Sequence, residues 1–133
     1  MVSLVRAFEV RFVLPGPAVS FRSPKAAVYK KAVAAEVRPL FSARREGAVE
    51  LRIDYFHSSR RRVDVDNIAK CIMDALNGVA YADDRLARIA QARAHDVRHA
   101  LWIWGGPVDL IKPLAQFSEY LIVRVRYVDL PSL

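Results

Sequence analysis

The alternation of apolar and polar side chains predicts a β-strand near the N-terminus. Apolar residues occupy every second position from Phe8 to Leu14, with Glu9 and Arg11 between them. This spacing is typical of a strand with one buried face. Residues 15–17, Pro-Gly-Pro, end the strand. The same alternation predicts a second strand over residues 49–55.

A helix is predicted from Ala26 to about Phe41, in an alanine-rich stretch. Pro24 suits the first turn of a helix, and Ser23 before it suits the N-cap. Pro39 ends or bends this helix because proline lacks the backbone N–H that continues the ladder.

The second half of the chain predicts one more helix and two more strands. Helical spacing runs from Asp66 to Asn77, and Gly78 follows as a stop signal. Residues 86–97 suggest a strand, although their alanine content leaves a helix open, and residues 119–129 alternate clearly. We therefore expect a single α+β domain over residues 1–133. Its mixed β-sheet carries two main helices, in the order β-α-β-α-β-β.

Composition and charge narrow the class of partner. The chain has 133 residues, 53% of them hydrophobic, and 21 Lys and Arg against 14 Asp and Glu give a net charge of +7. A pI near 10.0 in a domain of this size favours polyanions, most commonly nucleic acid. The single Cys71 excludes an intrachain disulfide and suits a reducing, cytoplasmic location. No apolar run approaches the ~20 residues of a membrane span, so no membrane partner is expected.

Acidic residues gather in one short segment of this basic chain. Five of the acids lie between Asp64 and Asp84, with the Arg60-Arg61-Arg62 triplet just before them. On the predicted helix, one apolar stripe opposes a polar face that carries Asp66, Lys70, Asp74 and Asn77. Clustered carboxylates are the ligands that Mg²⁺ prefers. Bound Mg²⁺ polarises a phosphodiester and activates water, and a lysine one turn from Asp66 can offset phosphate charge.

Ordinary structural roles also account for these residues one at a time. Asp64 or Asp66 can be the helix N-cap. Lys70 can pair with acids one turn away along the helix, and Asp83-Asp84 can form a turn. The Arg60–Arg62 triplet is either a solvent-exposed turn or a phosphate clamp. The histidines, His57, His95 and His99, have no metal-type spacing and are expected at the surface or in capping roles.

The spacing of the acidic segment resembles the RusA family of Holliday-junction resolvases. The matching residues are Arg62-Val63-Asp64-Val65-Asp66-Asn67-Ile68-Ala69-Lys70, then Asp74-Ala75-Leu76, then Asp83-Asp84. The resemblance covers about the first 97 residues and the final strand. It implies a small homodimeric, Mg²⁺-dependent endodeoxyribonuclease of bacterial or phage origin, without an organic cofactor. Such an enzyme acts in DNA recombination and repair by nicking symmetrically related strands of four-way junctions.

The resemblance also implies roles for individual residues. Asp64, Asp66 and Asp84 would be the catalytic metal-binding carboxylates, Lys70 the catalytic lysine and Asp83 a secondary metal ligand. Mn²⁺ would be a substitute for Mg²⁺. Residues expected to contact DNA are Arg22, Lys25, Lys30, Arg60, Arg61 and Arg62.

The sequence is also compatible with two other functions, and one segment has no assigned role. A basic dimer that binds DNA structure without cutting would have the same charge. A dehalogenase-like phosphatase also uses an Asp-x-Asp motif, but at the end of an apolar strand. Residues 99–118, with Trp102 and Trp104, match no part of the family pattern, and a dimer contact, a junction-probing loop and a lineage-specific insertion are the open alternatives for them.

Overall fold

A computed structural model describes residues 6–41, 47–58, 64–96 and 119–129 of the chain. The predicted α+β class, with one mixed sheet and two helices, is confirmed. The element order of the whole chain stays a prediction, because residues 97–118 lie outside the described ranges. Within those ranges the elements are β1 (Arg6–Pro15), α1 (Ala26–Val37), β2 (Ala48–His57), α2 (Val65–Leu76), β3 (Ala87–Asp96) and β4 (Tyr120–Asp129), with short 3₁₀ helices at Arg38–Phe41 and Asp84–Leu86.

The four strands form one sheet in the order β1-β4-β2-β3. Strand β4 is antiparallel to both β1 and β2, whereas β2 and β3 are parallel. Parallel neighbours need a crossover connection, and α2 lies in that connection. The strand prediction for residues 86–97 is correct over Ala87–Asp96, and the helical alternative is wrong. These residues form a strand because they pair with β2, which provides hydrogen-bonding partners along the whole length of β3.

The core lies between the sheet and the two helices. Alternate residues of β1, β2 and β4 face the helices, and α2 contributes Ile68, Ile72, Ala75 and Leu76. Cys71 is fully buried at 0% exposure, and burial raises the pKa of its thiol. Phe8, the first residue of the alternating series, is 47% exposed because the core does not extend that far along β1.

Helix α1 begins at the predicted Ala26, but it lacks the predicted Ser23 cap and ends earlier than predicted. Its N-cap residue is Lys25, with no side-chain cap, because the Ser23 hydroxyl accepts a 3.1 Å hydrogen bond from the Lys25 amide in a preceding turn. The helix ends at Val37 and continues as a 3₁₀ turn over Arg38–Phe41. Pro39 explains this change, since it donates no backbone hydrogen bond and its ring crowds the preceding turn.

Two histidines lie deeper in the fold than expected. His57 is 7% exposed and stacks on Tyr55 at 5.3 Å between ring centroids, and its Nδ1 atom has no hydrogen-bond partner among the described residues. His95 Nε2 lies 2.8 Å from Asp54 Oδ1, and its ring stacks on Phe56. The expected surface or capping role is therefore wrong for His57, whereas His95 stays partly exposed and pairs with Asp54. Both lie near the ends of paired strands, where the His57 ring stacks on Tyr55 of its own strand and the His95 ring stacks on Phe56 of the neighbouring strand.

None of the helices in the described ranges is long and apolar enough to cross a membrane.

Candidate active site

Asp64 is the N-cap residue of α2. Its backbone is extended, with φ −90° and ψ 94°, and its carboxylate accepts hydrogen bonds from the Asn67 amide at 3.3 Å and from Asn67 Nδ2 at 2.8 Å. The first amides of a helix have no partner within the helix, and this carboxylate satisfies one of them. The capping interpretation of Asp64 is confirmed. It leaves lone pairs on both carboxylate oxygens free for another ligand.

Asp66 and Lys70 lie one turn apart on the exposed face of α2. With Asp74 and Gln91 they line an open groove of about 390 Å³ between α2 and β3. The other wall consists largely of small side chains of β3, Ala90 among them. The groove therefore presents carboxylates and an ammonium group to solvent, with room for a phosphate backbone.

Lys70 contacts an aromatic ring rather than a carboxylate. Its Nζ atom lies 4.1 Å from the centroid of the Phe21 ring, within the range of a cation–π interaction. The alternative ladder of Lys70 with Asp66 and Asp74 is absent among the described side chains. Asp74 pairs instead with Lys30 of α1, at 3.6 Å between Oδ2 and Nζ. This ion pair joins the two helices across their polar edge.

The loop between β1 and α1 carries Phe21 to α2 and is anchored at several points. The Gly16 amide donates a 2.8 Å hydrogen bond to the Glu119 carbonyl, and the Phe21 amide donates a 3.0 Å bond to the Asn67 carbonyl. Tyr55 donates its hydroxyl proton to Glu119 Oε2 at 2.9 Å. Burial, followed by the bond to Glu119, raises the pKa of Tyr55 to about 12, which keeps the hydroxyl protonated as a donor.

Asp83 and Asp84 lie in the turn before β3. Asp83 Oδ1 accepts a 2.9 Å hydrogen bond from the Arg85 amide and lies 3.3 Å from Arg85 Nε. The hydrogen bond from the Arg85 amide and the positive charge of Arg85 lower the pKa of the Asp83 carboxylate, although that carboxylate is exposed. Asp84 begins the 3₁₀ helix, and its side chain lies outside the described part of the structure.

The predicted metal cluster is not assembled from the described side chains alone. No group of three His, Cys, Asp or Glu residues that could hold a metal ion is found among them. Asp64 and Asp66 both lie at the start of α2. The Asp83 carboxylate instead accepts a hydrogen bond from the Arg85 amide. Convergence of Asp84 on Asp64 and Asp66 stays a prediction.

The predicted DNA-binding residues differ in their surroundings. Arg22 and Lys25 are exposed in and after the β1–α1 loop, and their backbone amides are held by Ser20 and Ser23. Lys30 is partly buried by its ion pair with Asp74. The triplet Arg60, Arg61 and Arg62 lies outside the described residues.

The sequence analysis assigned no role to Phe21 or to Asn67, although Asn67 lies within the matched motif. The three-residue spacing from Asp64 to Asn67 is a capping spacing and was a usable signal. Phe21 gave no such signal, because its contact with Lys70 depends on how the β1–α1 loop folds over α2.

The comparisons with known proteins place the site within a recognised family region. The family model described as Endodeoxyribonuclease RusA matches residues 10–100, more than half of the chain. The match includes the β1–α1 loop, all of α2 and the turn that holds Asp83 and Asp84. No curated protein matches the chain significantly.

Proposed function

This protein belongs to the RusA family of endodeoxyribonucleases, and from that premise we propose that it resolves four-way DNA junctions by paired, symmetric nicks. The observation that carries the proposal is the polar face of α2. There, Asp66 lies one turn before the exposed Lys70 and lines the same open groove, and Asp64 caps the start of the helix. This arrangement suits hydrolysis of a phosphodiester, which needs metal ligands and a cation close to the same phosphate.

The donor set at the start of α2 fits Mg²⁺. Asp64 and Asp66 supply hard, anionic oxygen ligands and are exposed. The hydrogen bonds from Asn67 hold the Asp64 carboxylate in one orientation. Asp84 would be a third ligand and Asp83 a secondary one, with water and substrate oxygens completing the shell. Mg²⁺, or Mn²⁺ in its place, would supply a polarised phosphate and a more acidic water molecule.

The side chains of the chain itself would then act on the bound strand. Lys70 would place its ammonium group beside a phosphate oxygen and offset the negative charge that grows during attack. A water oxygen bonds to phosphorus, the bond from phosphorus to the 3′ oxygen breaks, and that oxygen takes up a proton. The nick would carry a 5′-phosphate and a 3′-hydroxyl, which a ligase can seal.

A homodimer would present two such sites to one junction. A four-way junction has approximate two-fold symmetry, and a dimer with the same symmetry reaches matching strands. The exposed Arg22 and Lys25, together with the partly buried Lys30, would supply affinity for the phosphate backbone that falls with salt. The Arg60–Arg62 triplet precedes Asp64 in sequence and would contact phosphates near the cut. This activity belongs to recombination and repair in a bacterial or phage-infected cytoplasm.

The phosphatase alternative does not suit the position of Asp64. A dehalogenase-like enzyme needs its first aspartate directly at the end of a strand, whereas Asp64 caps a helix and β2 ends at His57. A dimer that binds junctions without cutting uses the same basic surface. Only an assay of cutting separates it from the nuclease.

The decisive experiment compares a labelled synthetic four-way junction with a linear duplex of the same sequence. Wild type and Asp66→Asn are incubated with each DNA in Mg²⁺ and in EDTA, and products are resolved on a denaturing gel. We expect paired symmetric nicks in the junction alone, dependent on Mg²⁺ and on Asp66. Asp66→Asn should retain junction binding.

Glu36→Gln is the matched control, because it removes one negative charge from an exposed position on α1. It should cut at the wild-type rate. Tight junction binding by wild type without nicks in Mg²⁺ or Mn²⁺ would replace the nuclease proposal with the binding-module alternative. Loss of both binding and cutting in a folded Asp66→Asn protein would contradict a purely catalytic role for Asp66.

A further inference from the structure

Phe21 presents its ring to two lysines from different helices. Lys70 Nζ lies 4.1 Å from the ring centroid, and Lys30 Nζ lies 5.4 Å from it. Asp74 holds Lys30 through an ion pair of 3.6 Å. Among the described residues, Lys70 has no corresponding carboxylate, so the ring is the group that orients it.

An exposed lysine without a partner samples many rotamers. Its four-carbon side chain loses considerable conformational entropy when it is held in one geometry. The negative face of an aromatic ring attracts the ammonium group and also packs against the methylenes beside it. A ring that is itself held in place can therefore confine Lys70 without neutralising its charge, as a carboxylate would.

The β1–α1 loop holds Phe21 in place. The Phe21 amide bonds to the Asn67 carbonyl on the first turn of α2, three residues before Lys70. Gly16, earlier in the same loop, donates its amide to the backbone carbonyl of Glu119, which directly precedes β4. The ring is thus tied both to the helix that carries Lys70 and to the sheet beneath it.

We propose that Phe21 is a positioning residue for Lys70, and that its ring holds the ammonium group at the groove where the phosphate is cut. This inference rests on the proposed nuclease function. Phe21 acts through Lys70 and does not itself contact the reacting atoms. Loss of the ring should therefore slow cutting without weakening junction binding.

The kinetic test uses single-turnover cutting of a junction at saturating protein. Phe21→Leu keeps an apolar side chain and removes the ring, and we expect a roughly 3- to 30-fold slower rate with an unchanged Kd. Phe21→Tyr restores a ring and should cut within about twofold of wild type. In a Lys70→Met background, Phe21→Leu should cause no further loss. Phe8→Leu, a phenylalanine on β1 beside Tyr127, is the matched control and should leave the rate unchanged.

A second measurement reads the contact without any cutting. Ring current from Phe21 shifts the ε-methylene resonances of Lys70 upfield in an NMR spectrum, and Lys70→Arg identifies them. We expect the shift in wild type and in Phe21→Tyr, and its loss in Phe21→Leu. This measurement keeps the inference testable even where Lys70→Met cuts too slowly to measure.

The outcomes separate this inference from the nuclease proposal. Wild-type cutting that depends on Lys70 but is unchanged in Phe21→Leu overturns the positioning role alone. A weaker Kd at an unchanged rate also overturns it, and would make Phe21 a stacking surface for DNA. An unshifted Lys70 resonance in wild type overturns the contact itself. Absence of junction cutting by wild type refutes the proposed function, and the positioning role falls with it.

Discussion

Tyr55 and Glu119 are joined by a 2.9 Å hydrogen bond although they lie 64 positions apart in the sequence. The other Glu119 carboxylate oxygen accepts a 3.3 Å bond from the Ser58 amide, and its carbonyl accepts the Gly16 amide. Glu119 thus links the end of β2, the start of β4 and the β1–α1 loop. The loop that carries Phe21 to α2 therefore depends on this residue for its path.

Replacement of Gly16 by alanine should disturb that path. A Cβ atom at Gly16 would lie 2.8 Å from Glu119 Cβ and 2.9 Å from its backbone carbonyl atoms, so the loop or β4 must shift. We expect Gly16→Ala to lower the free energy of unfolding by about 1–3 kcal/mol, as overpacking does. Urea unfolding measures it. Gly78→Ala is the comparison, because a Cβ atom at Gly78 would have no atom within 4 Å and would cause no overpacking. Its φ of 80° is positive, so this substitution strains the backbone instead. A Gly16→Ala protein as stable as wild type would contradict this packing.

Two substitutions of Asp64 should separate capping from catalysis. Asp64→Ala removes the side-chain acceptor of the Asn67 amide and should cost about 1 kcal/mol of stability. Asp64→Asn keeps an acceptor oxygen and loses only the interaction of the negative charge with the helix dipole. It should therefore lower the free energy of unfolding by about 0.3–1 kcal/mol. Both variants should lose junction cutting in Mg²⁺. Urea unfolding and the junction assay give the two readouts, and normal cutting by Asp64→Asn would exclude Asp64 as a metal ligand.

Tyr29 should respond to substitution differently from Tyr55. The Tyr29 hydroxyl is buried and has no hydrogen-bond partner in the described part of the chain, whereas the Tyr55 hydroxyl donates a hydrogen bond to Glu119. We expect Tyr29→Phe to be neutral or to raise the free energy of unfolding by up to about 1 kcal/mol. Tyr55→Phe should lower it by about 1 kcal/mol. Urea unfolding at neutral pH measures both, and a destabilised Tyr29→Phe would indicate a partner for its hydroxyl.

Alkaline pH should destabilise the fold through these tyrosines. Burial raises the pKa of Tyr29, Tyr55 and Tyr120 from 10.0 to about 12. The unfolded chain therefore loses these protons first, and the tyrosine contribution to stability falls as pH rises from 10 to about 12. Urea unfolding across this range should show a shallower decline in Tyr29→Phe than in wild type. Equal slopes would contradict the raised pKa of Tyr29.

Arg22 and Lys30 should contribute differently to DNA binding. The Arg22 side chain is exposed, whereas Lys30 is held by Asp74. We expect Arg22→Ala to weaken junction binding and to reduce the slope of log K against log salt by about one unit. Lys30→Ala should change the slope less, because its charge is already partly neutralised. Binding titrations at several salt concentrations, in EDTA to prevent cutting, measure both slopes.

The pattern of residues along the chain was enough to predict most of the secondary structure. Alternation predicted the strands, and the polar face opposite an apolar stripe predicted α2 and its Gly78 stop. These features depend on neighbours within a few positions, so a single sequence contains them. The acidic spacing likewise indicated the family that the comparison confirmed. The start of α1 at Ala26 was predicted correctly, but its cap and its C-terminal end were not, because Ser23 bonds within a preceding turn and the helix changes to a 3₁₀ turn at Arg38.

Only the tertiary structure decided which side chains meet at the candidate site. Helical spacing on α2 predicted Asp66 and Asp74 as the neighbours of Lys70. In the structure the Lys70 ammonium group contacts the Phe21 ring, and Asp74 forms an ion pair with Lys30. The sequence of residues 86–97 is compatible with a helix or a strand, and it is the pairing of β3 with β2 that makes it a strand. In each case the partner lies on another element, and its position depends on strand pairing and loop anchoring. Helical spacing specifies which residues share a face, whereas the packing of the whole domain determines what that face contacts.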